Sequence, residues 1–288
     1  MAEIKENTIR AKRPEWLKVR APSGEVFATI KGMMREKSLH TVCEEAHCPN
    51  IHECWNSGTA TFMILGDVCV RNCKFCAVKT GKGLPPDPSE PTMVAESIAD
   101  MKLKHAVITS VTRDDLPDGG SSHWAETIRK IREYNPTTTI EVLIPDFKGD
   151  LDALHRVFCE KPDILNHNIE TVPRLYANVR PQADYKTSLF VLESAKEFGL
   201  KTKTGIMVGL GESLEEIIQV MEDLRRIDVK IMTIGQYLQP SKEHLPVVKF
   251  VSPEEFRSYK RIGLEMGFEY VESAPLVRSS YHAERQLK

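Results

Sequence analysis

The chain has 288 residues, 41% hydrophobic and 28% charged, the balance of an ordinary globule with room for one large domain with appendages or two small ones. Its 39 lysines and arginines nearly cancel 41 aspartates and glutamates, so the net charge of −2 marks neither nucleic acid nor a membrane surface as a partner. No run approaches the roughly 18 apolar residues of a transmembrane helix. The N-terminus mixes Glu3, Glu6 and Glu15 with basic residues and lacks an apolar stretch, so no signal or transit peptide is supported and the cytoplasm is the default compartment.

Residues 1–40 hold few strand signals. Arg13-Pro14-Glu15-Trp16-Leu17 places proline at a helix start with an acid behind it, and Phe27, Ile30, Met33 and Met34 recur at helical spacing. An extended arm with one short helix is expected there. Six of the seven cysteines follow, between positions 43 and 76, and from residue 61 onward strand and helix patterns alternate. Strands are expected at 61–65, 105–110, 138–144, 163–167, 202–208 and 230–235. Helices are expected at 94–101, 121–134 (Ser121 and Ser122 as N-cap candidates), 151–158, 188–198, 213–227 and 253–267. Ser213 and Glu216 form a capping-box pattern, and Gly199 closes the helix before it. The stretch 81–91, with four prolines and two glycines, is expected to be irregular.

About six βα units in succession mean a parallel sheet with right-handed crossovers, either open and doubly wound or curved into a partial (β/α)6 barrel. No GxGxxG follows the first strand. Polar residues recur just after strands, at 109–115, 166–170, 209–212 and 236–239, which is the arrangement of a barrel mouth. The expected class is therefore α/β, a partial TIM-like barrel with N- and C-terminal extensions.

The cysteines carry the chemistry. Cys69, Cys73 and Cys76 form a CxxxCxxC triplet directly after the first strand. Three thiolates fall one short of a closed zinc or iron–sulfur site and leave a metal position open for a ligand from elsewhere. A half zinc site completed by a remote His or Cys is the alternative. Cys43, Cys48 and Cys54 form a second triplet, CxxxxCxxxxxC, spaced too widely for zinc-ribbon knuckles. His47, His52 and water are nearby candidates for its fourth ligand. Cys159, in a helical stretch, reads as a small buried hydrophobe.

On the first triplet the chain resembles the radical S-adenosylmethionine (SAM) superfamily. The two triplets together, 15 residues apart, resemble the lipoyl synthase family. Lys12-Arg-Pro-Glu-Trp-Leu-Lys18, Cys48-Pro-Asn-Ile-His-Glu-Cys-Trp55, Thr109-Ser-Val-Thr-Arg-Asp-Asp-Leu116 and Asp118-Gly-Gly120 fit that family. So do His167-Asn-Ile-Glu-Thr171, Gly205-Ile-Met-Val-Gly-Leu-Gly-Glu212, Gly235-Gln-Tyr-Leu-Gln-Pro-Ser241 and Arg278-Ser-Ser-Tyr281.

The resemblance implies a barrel core at 58–250, an N-terminal extension at 1–57 carrying the second triplet, and a C-terminal helix and tail at 251–288 closing the site. It implies that Cys69, Cys73 and Cys76 hold a [4Fe–4S] cluster whose open iron binds SAM, with Phe75 against the adenine. It implies an auxiliary [4Fe–4S] cluster, the sulfur donor, on Cys43, Cys48, Cys54 and Ser280, with Arg278 assisting. Contacts to SAM are implied for Thr112 and Arg113 (the latter to a carboxylate), Asn168 and Glu170 (ribose or amino group), Gly209 and Glu212 (near the adenine) and Gln239. Taken alone, Gly209–Glu212 reads equally as a tight turn, 168–170 as a solvated loop and 278–288 as a polar tail.

The implied activity is radical insertion of two sulfur atoms at C6 and C8 of an octanoyl chain on a carrier lysine. Implied partners are octanoylated lipoyl carrier domains (E2 subunits of dehydrogenase complexes and the glycine cleavage H protein), a ferredoxin- or flavodoxin-type electron donor and an iron–sulfur carrier. Two other readings remain open: a radical SAM enzyme whose auxiliary cluster passes electrons, and a zinc-binding interaction module.

Overall fold

A computed structural model describes residues 13–19, 25–37, 39–46, 48–56 and 60–286. His47 and Lys12 lie outside these residues. The main sheet comprises β1 (His40–Thr41), β2 (Thr61–Ile64), β5 (His105–Ser110), β6 (Thr139–Leu143), β7 (Ile164–Asn166), β8 (Thr202–Val208), β9 (Ile231–Gln236) and β10 (Tyr270–Ser273), in that spatial order. A separate short pair, β3 (Val68–Cys69) and β4 (Lys79–Thr80), lies between β2 and β5 in the chain. All main-sheet neighbours run parallel except β1 against β2.

Helices α1 (Glu25–Glu36), α2 (Val42–Glu45) and α3 (Ile51–Asn56) precede β2. Then α4 (Glu90–Asp100), α5 (Ser121–Tyr134), α6 (Leu151–Phe158), α7 (Tyr176–Val179), α8 (Tyr185–Glu197), α9 (Leu214–Arg226) and α10 (Pro253–Glu265) fill the crossovers. Their apolar faces cover the outside of the sheet: Val94 and Ile98 from α4, Trp124 and Ile128 from α5, Val220 and Leu224 from α9, Phe256 from α10.

The sheet is curled, and side-chain contacts across it demonstrate this. β2 and β10 are separated by six strand spacings, about 29 Å in a flat sheet at about 4.8 Å each. Yet the Asn50 amide, just ahead of α3, donates to the Leu276 carbonyl, three residues past β10, at 2.7 Å. The Thr61 hydroxyl of β2 donates to Ser280 Oγ at 2.9 Å. Together with the parallel strand order, these contacts between the two ends agree with a sheet curled toward closure, the architecture of a partial barrel. Its interior is polar: Glu141 of β6 and Lys203 of β8, both fully buried, meet at 2.8 Å across β7.

The six expected strands and their helices are present, with several differences. The two edge strands β1 and β10, two and four residues long, are not among the strands expected from the sequence. The N-terminal arm holds a 3-10 turn at Glu15–Leu17 as well as the twelve-residue α1. α4 starts at Glu90, earlier than expected, because Pro91 is admissible in the first helical turn.

The N-cap of α5 is Gly120, left-handed at φ 87°, and neither Ser121 nor Ser122. Asp118 accepts the amides of Gly120 and Ser122, while the Ser121 hydroxyl is taken by Arg156 at 2.6 Å. Cys159 is exposed rather than buried. The apolar face of α6 is supplied by Ala153, Leu154, Val157 and Phe158, and the next residue turns off it.

Candidate active site

The first triplet sits on a loop closed at its base. Cys69 ends β3, which pairs with β4, and the Gly81 amide donates to the Cys69 carbonyl at 2.9 Å. Cys69 Sγ accepts the amides of Arg71 and Thr112 at 3.4 Å each, the N–H···S pattern that suits a thiolate ligand. Burial pushes the Cys73 thiol up, and pushes Cys76 up to about 12 with help from the neighbouring thiols. Burial thus disfavours charge on Cys73 and Cys76, so ligation there would release protons.

Arg71, between the first two cysteines, is almost fully buried. It forks onto Asp114 (2.7 and 3.0 Å) and Asp146 (2.7 and 2.6 Å), tying the loop to residues just past the C-terminal ends of β5 and β6. On the other side His244 Nε2 donates to the Cys76 carbonyl at 2.8 Å. That bond fixes the tautomer, so Nδ1 accepts the Ser241 hydroxyl, also at 2.8 Å.

The polar residues after the strands converge beside this loop. Asn168 and Glu170, past the end of β7, are joined by a 3.1 Å hydrogen bond. Burial raises the Glu170 carboxyl, and its backbone is left-handed at φ 69°, an unusual state for a glutamate. Strain of that kind is retained where surrounding structure over-determines it. Phe75 packs against an apolar group containing Leu210 and Tyr237. Gly209 is left-handed at φ 101°, and a Cβ there would lie 2.5 Å from the Lys249 carbonyl oxygen. The Glu212 carboxylate folds back to accept the amides of Gly209 and Leu210. Gln239 donates to the His244 carbonyl at 2.8 Å. Thr112 touches Cys69 through its amide, but the Arg113 guanidinium is committed to Asp115 at 2.9 Å through both arms. The fork expected for a cofactor carboxylate is thus already filled by an internal one.

The second triplet is assembled from both ends of the chain. Cys43, Cys48, Cys54, Thr61, Arg278 and Ser280 line one small pocket. Burial, with the neighbouring thiols, pushes Cys43 and Cys54 up to about 12, and burial raises Cys48 as well. Three thiols and a hydroxyl around one space form a donor set that fits an iron–sulfur cluster. A second observation supports the fit. The indole N–H of Trp55, fully buried, completes no hydrogen bond in the protein, yet it lies close enough to the Cys43 thiol to pull it down. Such a donor suits a sulfur that carries charge. Among the described residues, no three His, Cys, Asp or Glu side chains are arranged to hold a single metal ion. His52, half-buried on α3, is not part of the pocket lining.

Reading the sequence alone passed over Arg71, Trp55, Thr61, Arg180 and His244. Arg180 is buried, donating to the Asn168 carbonyl and to Tyr176 Oη at 3.0 Å each. Its charge counters the effect of burial on Cys73 and Glu170. An arginine directly inside a cysteine triplet was the one signal available for Arg71; the other four become visible only once the chain is folded.

Two family models match the chain. The Radical SAM superfamily covers residues 63–224, and the N-terminal domain of lipoyl synthase of the Radical SAM family covers residues 2–48. The lipoyl synthase of Rubrobacter xylanophilus is 60% identical over 278 residues, 96% of this chain and 87% of that one. That of Chlorobaculum parvum is 56% identical over 280 residues, 96% of each chain. Among solved structures, methylornithine synthase superposes with a TM-score of 0.54 at 13% identity, covering 86% of this chain and 81% of that one, a likeness of fold. The chain belongs to the lipoyl synthase family of the radical SAM superfamily.

Proposed function

We propose that this protein inserts two sulfur atoms, at C6 and C8, into an octanoyl chain carried on the lysine of a partner domain. One observation carries the reading. Asn168, beside the first triplet, exchanges hydrogen bonds of 2.7 and 3.0 Å with Ser279, and the next residue, Ser280, lines the pocket of the second triplet. The two thiol triplets thus open onto neighbouring parts of one barrel, close enough to act on one substrate chain. When bound, a [4Fe–4S] cluster with SAM on Cys69, Cys73 and Cys76 supplies a hydrogen-abstracting 5′-deoxyadenosyl radical, and a second [4Fe–4S] cluster on Cys43, Cys48, Cys54 and Ser280 supplies the sulfur.

The chain's own residues position these groups. Arg71 and His244 hold the first loop rigid, so its thiols meet the cofactor in one geometry. Asn168 and Glu170 would receive the ribose or amino group of SAM and Phe75 its adenine, with the Gly209–Glu212 turn and Gln239 completing the residues that would hold it. Thr112 supports Cys69, and Arg113 supports that loop through Asp115. Ser280 is the exchangeable corner of the auxiliary site, because a hydroxyl oxygen is a harder and weaker partner for iron–sulfur chemistry than a thiolate. Arg278 places positive charge near Cys48.

The carriers are octanoylated lipoyl domains of E2 subunits and the glycine cleavage H protein. A ferredoxin or flavodoxin supplies electrons, and an iron–sulfur carrier rebuilds the spent cluster. No helix among the described residues is long and apolar enough to cross a membrane. Reduced thiols in this number suit the cytoplasm.

Anaerobic reconstitution tests the reading and should give about eight iron atoms per chain, four per triplet. Cys69→Ala should abolish SAM cleavage and keep the second cluster. Cys54→Ala should still cleave SAM and form no sulfur-containing product. Identical phenotypes for the two, or an auxiliary cluster that survives turnover intact, would overturn it.

A further inference from the structure

Thr61 stands where three distant parts of the chain meet. It is the first residue of β2, 3% exposed and paired in register with Val107 of β5. Its hydroxyl donates to Ser280 Oγ at 2.9 Å across 219 positions of sequence. Thr61 also lines the small pocket that holds the thiols of Cys43, Cys48 and Cys54. One short side chain on the barrel wall therefore bonds the C-terminal serine at the rim of the pocket that the N-terminal thiols line.

The residues before Ser280 are held by bonds of their own. Arg278 Nη1 donates to the carbonyls of Val277 and Gln236 at 2.7 and 3.3 Å, and Ser279 is bonded to Asn168. A Cβ on Gly235 would lie 2.1 Å from the Val277 carbonyl oxygen, so the backbone of β9 and this segment are in direct contact. Among the described residues, the hydroxyl of Ser280 has a single hydrogen-bond partner, and it is Thr61. A hydroxyl oxygen that accepts one hydrogen bond keeps a second lone pair, here beside a pocket lined by three thiols.

We propose that Thr61 is a positioning residue of the auxiliary site: its hydroxyl aims Ser280 Oγ at the thiols of Cys43, Cys48 and Cys54 and sets how readily that corner is released. The proposal rests on the auxiliary-cluster reading above. The geometry assigns Thr61 no contact with substrate; it acts through Ser280. A valine has nearly the same shape and lacks the donor, whereas a serine keeps the donor and loses only a methyl group.

The test uses full-length protein carrying Cys69→Ala, Cys73→Ala and Cys76→Ala, so that only the second site binds iron. Iron release to a chelator and the electron paramagnetic resonance spectrum of the reduced protein are measured. Thr61→Val should release iron about fivefold faster, the factor one neutral hydrogen bond carries, with a spectrum shifted toward that of Ser280→Ala. Thr61→Ser should restore the parent values. In a Ser280→Ala background Thr61→Val should add nothing, and this comparison still decides if Thr61→Val alone folds poorly. Parent-like release and spectrum in Thr61→Val, or a full additional effect in the Ser280→Ala background, would overturn the role of Thr61. Absence of any cluster in the parent would instead overturn the auxiliary-site reading, and this proposal with it.

Discussion

Arg71 and Asp146 are joined by two parallel hydrogen bonds of 2.7 and 2.6 Å in an almost fully buried setting. The pairing spans 75 residues and locks the loop of the first triplet to the chain just beyond β6. Burial by itself would raise the Asp146 carboxyl, but Arg71 holds it down to about 2. The second fork, to Asp114, leaves this guanidinium with two carboxylates.

Arg71→Met removes the shared cation from both. Breaking a buried pair by deleting one partner costs about 3–5 kcal/mol, measurable as a lower midpoint in urea unfolding. Arg71→Lys should recover only part, because an ammonium cannot bond two carboxylates in fork geometry. Both variants should retain less iron at the first triplet than at the second.

The barrel interior carries a pH-dependent contribution. Burial would raise the Glu141 carboxyl, but the Lys203 ammonium and the His105 ring hold it down to about 2, from 4.5. A depressed carboxylate contributes stability that is complete above about 4.5 and is lost as pH falls toward about 2. The groups that face it are Lys203 of β8, His105 of β5 and the Asn166 amide of β7, which donates at 2.9 Å. Glu141→Gln should flatten the acid limb of a stability–pH curve between those values. The double variant Glu141→Gln/Lys203→Met should be less destabilised than Glu141→Gln alone, since no unpaired buried charge remains.

Gly235 of β9 has no space for a side chain, because a Cβ would sit 2.1 Å from the Val277 carbonyl oxygen. Gly235→Ala must push the segment leading to Ser280 away from the barrel. Overpacking of this kind costs about 1–3 kcal/mol. Limited proteolysis should cut beyond Val277 faster in the variant. SAM cleavage should be largely kept while formation of sulfur-containing product falls.

Cys159, exposed at the end of α6, lies far in sequence from both triplets. In folded protein carrying its clusters, it should be the cysteine that reacts fastest with a thiol-specific reagent. Cys159→Ser should remove that fast phase and leave iron content and turnover unchanged. A fast phase persisting in the variant would place the reactive thiol elsewhere.

Much of the molecule is local information. The cysteine spacings, the alternation of strands and helices, and the Ser213–Glu216 capping box, formed as expected, all depend on neighbours within a few residues. So does the exposure of Cys159 in principle, since it follows the four residues that make the buried face of α6, although a cysteine's usual burial argues the other way. Hydrophobic periodicity states which face of an element is buried. It carries no information about how far a sheet curls, because curvature accumulates over pairings between strands distant in the chain.

Everything that joins the two triplets depends on that curl. The tail at 278–281 reads as a solvated segment until the sheet bends round to set Ser280 against Thr61 and Ser279 against Asn168. Arg71 gains its partners only when the ends of β5 and β6 bring Asp114 and Asp146 to it. By itself the sequence determined which atoms are available for chemistry, since thiols and hydroxyls are fixed by residue type. Only the tertiary structure decided which of them face one another, because desolvation and hydrogen bonding act over ångströms of space, whatever the separation along the chain.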